Sequence, residues 1–290
     1  MAGRETKLIA IISDIHANIH ALEAVLSDMP QVSDIWVLGD TVGGGPFPCE
    51  VLERLLNLAT PVTAILGNWE GYLFDKRSAD PKWHSEKQNA SAAHTISTLK
   101  DHHWSYLESL KGTRSMDCVP GGALLFHGRP DNVFANIESY ESALEVAAMH
   151  QERWLFGGHI HSLRLFHIGQ QRVAAVGSVG MAADEIWIGG TAAYALLDAD
   201  KIVFRHVAYD LDSAISAFKA SEYGQYIAPC VARAYLATLI SGQNYMGKFM
   251  TFVWEYAKKQ GCNDETIPDA LWQEAGKTWK VEDWLEARIR

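Results

Sequence analysis

The stretch that most constrains this chain is an apolar run that ends in Asp14, one spacer and His16. The run over residues 8–12 is rich in β-branched side chains, which predicts a buried strand. Apolar residues at helical spacing follow over residues 19–29, and strand, polar tip, helix is the order in which α/β enzymes place chemistry at strand ends. On extended backbone Asp14 and His16 would project to the same side and could hold a divalent cation. The alternative is a structural role, with Asp14 capping the turn.

The same order of strand, polar tip and helix recurs twice in the next part of the chain. An apolar segment over residues 34–38 runs into Gly39 and Asp40, and another over residues 62–66 runs into Gly67 and Asn68. Repeated units of this kind favour a parallel sheet with right-handed crossovers.

Strands are predicted again before His127 and before the pair His159 and His161. Over residues 164–207 the pattern changes to short strands joined by turn residues, without a long helix between them. Such strands should pair as antiparallel hairpins. The sequence therefore predicts an α/β fold of two mixed sheets packed face to face with helices outside.

Two helical regions complete the predicted organisation. Residues 71–115 form a helical insertion in a domain that spans residues 1–210, and residues 211–290 form a C-terminal helical extension. The histidines of the insertion are predicted to be surface groups rather than ligands; they are His84, His94, His102 and His103.

Aromatic residues at helical spacing mark the C-terminal extension, with Trp272, Trp279 and Trp284 in its last twenty residues. Aromatics in this pattern are usually core residues. The alternative is a docking face for another subunit, which would make the protein a homo-oligomer through its C-terminal helices.

Composition narrows the range of partners and compartments. The 25 Lys and Arg residues against 35 Asp and Glu residues give a net charge of −10, which argues against bulk nucleic acid and anionic membranes as partners. No apolar run approaches the roughly 20 residues of a membrane span. The four cysteines are scattered without a C-x-x-C pair, so we expect a cytoplasmic protein with reduced thiols.

The strand tips bear only Asp, Asn and His, and four of the 12 histidines lie there. Two metal ions about 3.5–4 Å apart need a bridging carboxylate and terminal N and O ligands, and Asp40 is the candidate bridge. Without a thiolate the set does not suit a closed structural zinc site, but it suits Mn, Fe or Zn in an open site. The full candidate set is Asp14, His16, Asp40, Asn68, His127, His159 and His161.

In order and spacing, these residues resemble the motifs of the calcineurin-like metallophosphoesterase family over roughly residues 7–207. The resemblance implies a four-layer α/β/β/α sandwich and a binuclear metal site that hydrolyses a small phosphorylated substrate, as a phosphatase or phosphodiesterase. It implies attack by a metal-bridging hydroxide, with Asp40 and Asn68 in the catalytic centre. By this resemblance Asp14, His16 and His161 bind one ion, Asn68, His127 and His159 bind the other, and Asp40 is shared.

One position departs from the family pattern. The family usually has Gly-Asn-His followed by an acidic residue, whereas this chain has Gly67-Asn68-Trp69-Glu70. Trp offers only an indole N–H and cannot act as a general acid. General-acid catalysis typically raises the rate by about 10²–10⁴-fold. A branch of the family without this histidine is associated with phosphodiester hydrolysis.

Two other hypotheses compete with the phosphoesterase. A retromer subunit with this fold works mainly as an interaction scaffold, so a catalytically weak scaffold acting through protein interactions is the alternative. A metal-dependent amidohydrolase barrel is disfavoured, because such barrels need eight regular βα units and an early H-x-H.

Three residues are candidates for substrate contacts, each with a structural alternative. Asn18 would touch a phosphate oxygen or cap the helix that starts there. Arg129 would hold a phosphate bidentately or be an ordinary surface arginine. Trp69 would stack on an aromatic or nucleobase leaving group or serve in packing.

Overall fold

In the computed structural model, which describes residues 8–79, 81–183, 189–262 and 266–290, the strands form two five-stranded mixed sheets. The first sheet has the order β10-β9-β1-β2-β3, with β1 in its centre. β1 pairs in parallel with β2 and antiparallel with β9. The strands of this first sheet are β1 (Leu8–Ile12), β2 (Asp34–Val37), β3 (Val62–Ala64), β9 (Thr191–Asp198) and β10 (Lys201–Ala208).

The second sheet has the order β4-β5-β6-β8-β7, in which β5, β6 and β8 run in parallel. The two hairpins predicted late in the chain are present, but they belong to different sheets, β7–β8 to the second and β9–β10 to the first. The edge strand β4 has no apolar pattern that would have predicted it. The strands are β4 (Arg114–Met116), β5 (Ala123–Leu125), β6 (Trp154–Gly157), β7 (Leu163–Ile168) and β8 (Gln171–Val176).

The two sheets pack against each other through large apolar side chains. Ile9, Ile11 and Trp36 of the first sheet share a buried cluster with Trp154 and Phe156 of the second. The rings of Trp36 and Phe156 meet edge to face at 6.0 Å. Full burial of each such side chain contributes about 1.5–3 kcal/mol. The predicted α/β fold of two packed mixed sheets is therefore confirmed.

Helices cover the outer faces and continue to the C-terminus. The alternate residues of β1 pack with Leu22 and Val25 of the first helix, so that β1 is buried on both faces. The helices are α1 (Ile19–Asp28), α2 (Pro48–Leu56), α3 (Asn68–Ser78), α4 (Ala90–Thr98), α5 (Asp101–Ser109), α6 (Tyr140–Met149), α7 (Leu211–Ala220), α8 (Glu222–Tyr226), α9 (Pro229–Ser241), α10 (Tyr245–Lys259), α11 (Asp269–Thr278) and α12 (Asp283–Ile289).

The insertion and the C-terminal segment are largely helical, as predicted. In the C-terminal segment Phe249 packs edge to face on Trp272 at 5.5 Å and on Trp279 at 5.0 Å. Trp284 differs from the core prediction and is 59% exposed, because α12 buries the adjacent Leu285 instead. No helix in the described part of the chain is both long and apolar enough to cross a membrane.

Candidate metal centre

The strand tips of both sheets meet at one place. Asp14 Oδ1 lies 3.2 Å from His161 Nε2 and 3.8 Å from Nε2 of both His16 and His127. Asp40 Oδ2 lies 3.3 Å from His127 Nε2. The ligand atoms of Asp14, His16 and His161 all lie within 4.8 Å of one another, and so do those of Asp14, Asp40 and His127.

Asn68 and His159 complete the cluster. The Asn68 side-chain amide lies 2.9 Å from His127 Nε2 and 2.8 Å from His159 Nδ1. With Oδ1 turned inward, it adds a further acceptor to the cluster, which suits a cation. With Nδ2 turned inward, it donates to both imidazoles and to Asp40 Oδ2 at 3.2 Å. The structure thus brings together all seven residues that the sequence predicted.

Backbone carbonyls determine which nitrogen of each imidazole carries the proton and which nitrogen offers a lone pair to the centre of the cluster. A carbonyl oxygen can only accept, so each Nδ1 that faces one carries the proton and leaves Nε2 of the neutral ring free to bind a metal. His159 is the reverse case, because its Nε2 faces the Phe134 carbonyl at 3.2 Å. The carbonyls of Gly43, Leu38 and Met181 lie 3.2, 2.7 and 2.9 Å from Nδ1 of His16, His127 and His161.

The cluster holds more acceptors than its own protons satisfy. Nε2 of His16 lies 3.0 Å from Nε2 of His161, and in the neutral rings both atoms would carry a lone pair, so a proton or a cation has to lie between them. Asp14 Oδ1 is buried and has no hydrogen-bond partner. A divalent cation satisfies converging lone pairs and carboxylate oxygens of this kind. The residues present therefore fit a divalent metal.

Charge in the cluster is shared between the two carboxylates and the imidazoles. Burial disfavours the imidazolium, yet the carboxylates of Asp40 and Asp14 raise the pKa of His127 to about 10. Burial and the nearby His161 lower the pKa of His16 to about 4. Burial alone would raise the pKa of Asp14, but His161 and His127 hold it below its usual value. Protons on the imidazoles thus offset the negative charge of the carboxylates, and bound metal ions would displace these protons.

The backbone at the tips is not extended, which corrects one premise of the sequence argument. β1 ends at Ile12, and Asp14 and His16 have left-handed φ angles of 53° and 48°. Sharp turns, rather than the strand period of two, bring the side chains together. Left-handed backbone at non-glycine residues is strained and clusters at functional sites. The same left-handed conformation occurs at Asp40, His159 and His161, with φ angles of 49°, 70° and 57°.

Two glycines allow the loops to approach each other closely. A Cβ atom on Gly67 would lie 2.2 Å from Asp40 Oδ1, and one on Gly158 would lie 2.6 Å from Asp14 Oδ2. Only glycine permits such contact with the carboxylates. The contacts let the Trp69 N–H donate to Asp40 Oδ1 at 2.8 Å and the His159 N–H to Asp14 Oδ2 at 3.0 Å.

Glu70 is the residue whose role the sequence reasoning missed. Its carboxylate is buried and accepts N–H groups of Asp40, Thr41, Val42 and Gly67 at 2.8–3.2 Å. It thus ties the Asp40 loop to the Gly67–Asn68 turn. Burial and the charge of Asp40 raise the pKa of Glu70 to about 7. The sequence shows Glu70 directly after Gly67-Asn68-Trp69. It does not show the four backbone N–H groups that donate to the carboxylate, because they meet it only when the chain folds.

Asn18 acts as the cap of α1. Its Oδ1 accepts from the Ala21 N–H at 3.1 Å and its Nδ2 donates to the Gly180 carbonyl at 3.0 Å. The side chain is buried and does not line the cavity at the metal centre. Of the two alternatives for Asn18, the helix cap is the one that the structure shows.

Arg129 is engaged away from the metal centre. It donates to Asp131 at 3.2 Å and to Glu145 at 2.6 Å. It does not line the cavity at the metal centre. The structure thus does not bring Arg129 together with the other candidate residues.

Trp69 lies at the mouth of the metal centre and lines the adjoining cavity. Its ring meets the His16 ring at 6.5 Å and the Tyr72 ring at 5.8 Å, both nearly perpendicular. It packs with the cluster around Val42 and Leu73 and also contributes to the lining of the cavity. Its position is compatible with packing and with substrate contact at once.

A second group of potential ligands comprises Glu53, His102 and His103. His103 is buried, contrary to the prediction of a surface group. The Lys100 N–H donates to His103 Nδ1 at 3.2 Å, so the proton of the neutral ring is on Nε2, which lies 3.1 Å from Glu53 Oε1. That nitrogen has no lone pair for a metal. The group is a hydrogen-bonded contact between α2 and α5.

The chain resembles known proteins both in sequence and in structure. A family model described as the calcineurin-like phosphoesterase superfamily domain matches residues 8–201. A metallophosphoesterase from Sphaerobacter thermophilus has a TM-score of 0.68 at 26% identity, covering 81% of this chain and 100% of that one. A hypothetical protein from Pyrococcus horikoshii has a TM-score of 0.66 at 20% identity, covering 81% and 98%, which is likeness of fold alone.

Curated relatives match over shorter stretches. An uncharacterized protein from Methanocaldococcus jannaschii is 36% identical over 106 residues, which are 36% of this chain and 42% of that protein. A symmetrical bis(5'-nucleosyl)-tetraphosphatase from Erwinia tasmaniensis is 35% identical over 66 residues, 22% of this chain and 24% of that protein. The chain thus spans less than half the length of these curated relatives.

Proposed function

The chain belongs to the calcineurin-like phosphoesterase superfamily, and we propose that it is a hydrolase of phosphate esters that uses two divalent ions at the strand tips. One observation carries the proposal: imidazole nitrogens that can offer lone pairs lie beside two buried carboxylates at the same place. Mn, Fe and Zn are the ions that suit this mixture of N and O ligands.

The ligands divide into two groups that share Asp40. His16 and His161 face Asp14 on one side, and His127, His159 and the Asn68 amide face one another on the other. Asp40 Oδ2 lies between them, 3.7 Å from His16 Nε2 and 3.3 Å from His127 Nε2. Bound divalent ions would supply an acidified water as nucleophile and stabilise the charge that develops on the phosphoryl group.

The chain's own residues hold this arrangement in place. Carbonyls orient the imidazoles, backbone N–H groups hold the outer oxygens of Asp14 and Asp40, and Glu70 fixes the loop of Asp40. Trp69 borders the site with an indole, which cannot protonate a leaving group near neutral pH. We therefore expect esters with weakly basic leaving groups, and activated phosphodiesters, to be the better substrates.

Turnover of activated esters tests the proposal. Bis(p-nitrophenyl) phosphate and p-nitrophenyl phosphate are supplied with Mn²⁺ to the wild type, to Asp40→Asn and to Asp75→Asn, which alters an exposed carboxylate of α3. Asp40→Asn removes the shared ligand charge, so kcat/KM should fall by about 1,000-fold. Asp75→Asn should match the wild type. Equal turnover in wild type and Asp40→Asn would overturn the proposal.

A scaffold that acts through its surface is the alternative function. Its supporting observation is the exposure of Trp254 on α10 and Trp284 on α12, at 37% and 59%. Under this alternative the C-terminal helices join copies of the chain. A wild type without turnover under Mn, Fe or Zn that sediments as an oligomer, and as a monomer in Trp284→Ser, would favour it. A monomeric wild type with metal-dependent turnover would exclude it.

A further inference from the structure

Described residues line a cavity of about 560 Å³ that adjoins the metal centre. Asp40, His16 and His161 line it at one end, and residues of the insertion and of α8–α11 line it elsewhere. A cavity of this size holds an organic group as well as a phosphoryl group. Whatever reaches the metal centre therefore shares this space with the helical segments.

The helical wall of the cavity is apolar. It includes Ile227, Val231, Phe249, Met250 and Trp272, which come from consecutive C-terminal helices and their connections. The ring of Phe249 meets that of Trp272 edge to face. An apolar group placed against this wall would gain hydrophobic burial, and an aromatic ring would also gain favourable ring contacts.

The polar groups of the lining are already bonded to other groups of the protein. The Tyr72 hydroxyl donates to Asn89 Oδ1 at 2.7 Å, and the hydroxyls of Ser91 and Tyr223 are 2.9 Å apart. Asn244 caps α10 by accepting the Gly247 N–H at 2.7 Å. A sugar with many hydroxyls would have to compete with these bonds.

Charges in the lining match a single phosphoryl group. Among the described residues of the cavity wall, Lys87 is the one lysine or arginine and Asp40 the one carboxylate. A chain of several phosphates needs several cations, which this lining does not provide. The lining thus favours one phosphoryl group at the metal centre with an uncharged body beside it.

We propose that this cavity selects phosphate esters whose organic part is an aromatic, largely apolar group, with the C-terminal helices as the selecting wall. The proposal rests on the proposed function for the phosphoryl end of the ligand. Trp69 is consistent with it, because aryl oxides are weakly basic and depart without the proton that an indole cannot supply. The insertion and the C-terminal helices then determine specificity.

Non-hydrolysable ligands test the cavity without turnover. Phenylphosphonate and 1-naphthylphosphonate are titrated calorimetrically into the Mn²⁺-loaded protein. The second ring adds apolar area to be buried, so naphthylphosphonate should bind about 10-fold more tightly. Met250→Glu places a carboxylate in the apolar wall at a residue that is 41% exposed and should reduce this preference to about 2-fold or less.

Met149→Glu is the matched control, because Met149 is 51% exposed on α6 and does not line the cavity. It should keep the wild-type preference. Equal affinities in the wild type, no binding of either phosphonate, or an unchanged preference in Met250→Glu would overturn the inference. A preserved preference in a protein without turnover would support the cavity and count against the hydrolase, so the two failures are distinguishable.

Discussion

Left-handed backbone recurs at the residues that face the centre of the site. Each non-glycine residue held in this region costs about 1–3 kcal/mol, which persists only where surrounding contacts enforce it. Here the contacts are backbone hydrogen bonds, from the Asp14 N–H to the Gly39 carbonyl at 3.1 Å and from the His16 N–H to the Asp40 carbonyl at 2.9 Å. These backbone contacts thus hold the candidate ligands in the conformations that bring their side chains together.

Glu70 provides the residue-scale prediction. Glu70→Ala leaves four buried N–H groups without their acceptor, so the free energy of unfolding should fall by about 3 kcal/mol or more. Glu70→Gln keeps one acceptor oxygen and should lose less. Chemical denaturation of the metal-free protein measures both, with the exposed Glu255→Gln as control. A Glu70→Ala protein as stable as the control would show that the carboxylate does not hold the loops.

At the residue scale the sequence predicted which candidate residues come together, but it did not predict how their side chains are oriented. Asp14 and His159 could be recognised because each follows an apolar strand beside its motif partners. The carbonyl opposite each imidazole could not be predicted, because Met181 and His161 meet only after the chain folds. The engagement of Arg129 with Glu145 depends equally on tertiary placement.

At the scale of elements, α1 is attached to the first sheet by a charged contact at its end. The Arg205 side chain of β10 donates to both carboxylate oxygens of Asp28 at 2.8 Å, and the Tyr194 hydroxyl of β9 donates to one of them at 2.8 Å. The hydrogen bond from Arg205 is the main cause that lowers the pKa of Asp28 from 3.8. The contact thus links the end of the helix to two strands of the sheet.

This contact predicts a pH dependence of stability. Because the folded pKa is depressed, its contribution is fully present above the unfolded pKa of 3.8 and is lost as the pH falls through the lower folded value. Asp28→Asn should therefore lower the unfolding free energy by about 1 kcal/mol near neutral pH, with the difference shrinking as the pH falls below 3.8. Denaturation at several pH values measures it, with Asp75→Asn as control. A difference independent of pH would contradict the assignment.

Element prediction succeeded where periodicity was strong. The apolar run of residues 8–12 forms β1, and the helical pattern of residues 89–110 corresponds to α4 and α5. β4 could not be predicted, because its sequence Arg-Ser-Met is polar and pairing with β5 alone defines it. The exposure of Trp284 could not be predicted either, since it depends on which side of α12 meets α9.

For the whole molecule, the metal centre joins the two sheets. Asp14, Asp40 and Asn68 follow strands of the first sheet, whereas His127 and His159 follow strands of the second. A bound ion would thus bridge the sheets and stabilise the folded state by mass action. The cavity between the insertion and the C-terminal helices could not be predicted, because the segments that line it are distant in sequence.

Metal stoichiometry tests directly whether the strand tips hold two ions. The wild type, His161→Ala, His159→Ala and Asp75→Asn are loaded with Mn²⁺ and desalted, and bound metal is counted by mass spectrometry. In the proposed assignment His161 and His159 bind different ions, so we expect about two equivalents in wild type and Asp75→Asn, and about one in each histidine variant. A wild type that binds one equivalent or none, or histidine variants that keep two, would contradict it.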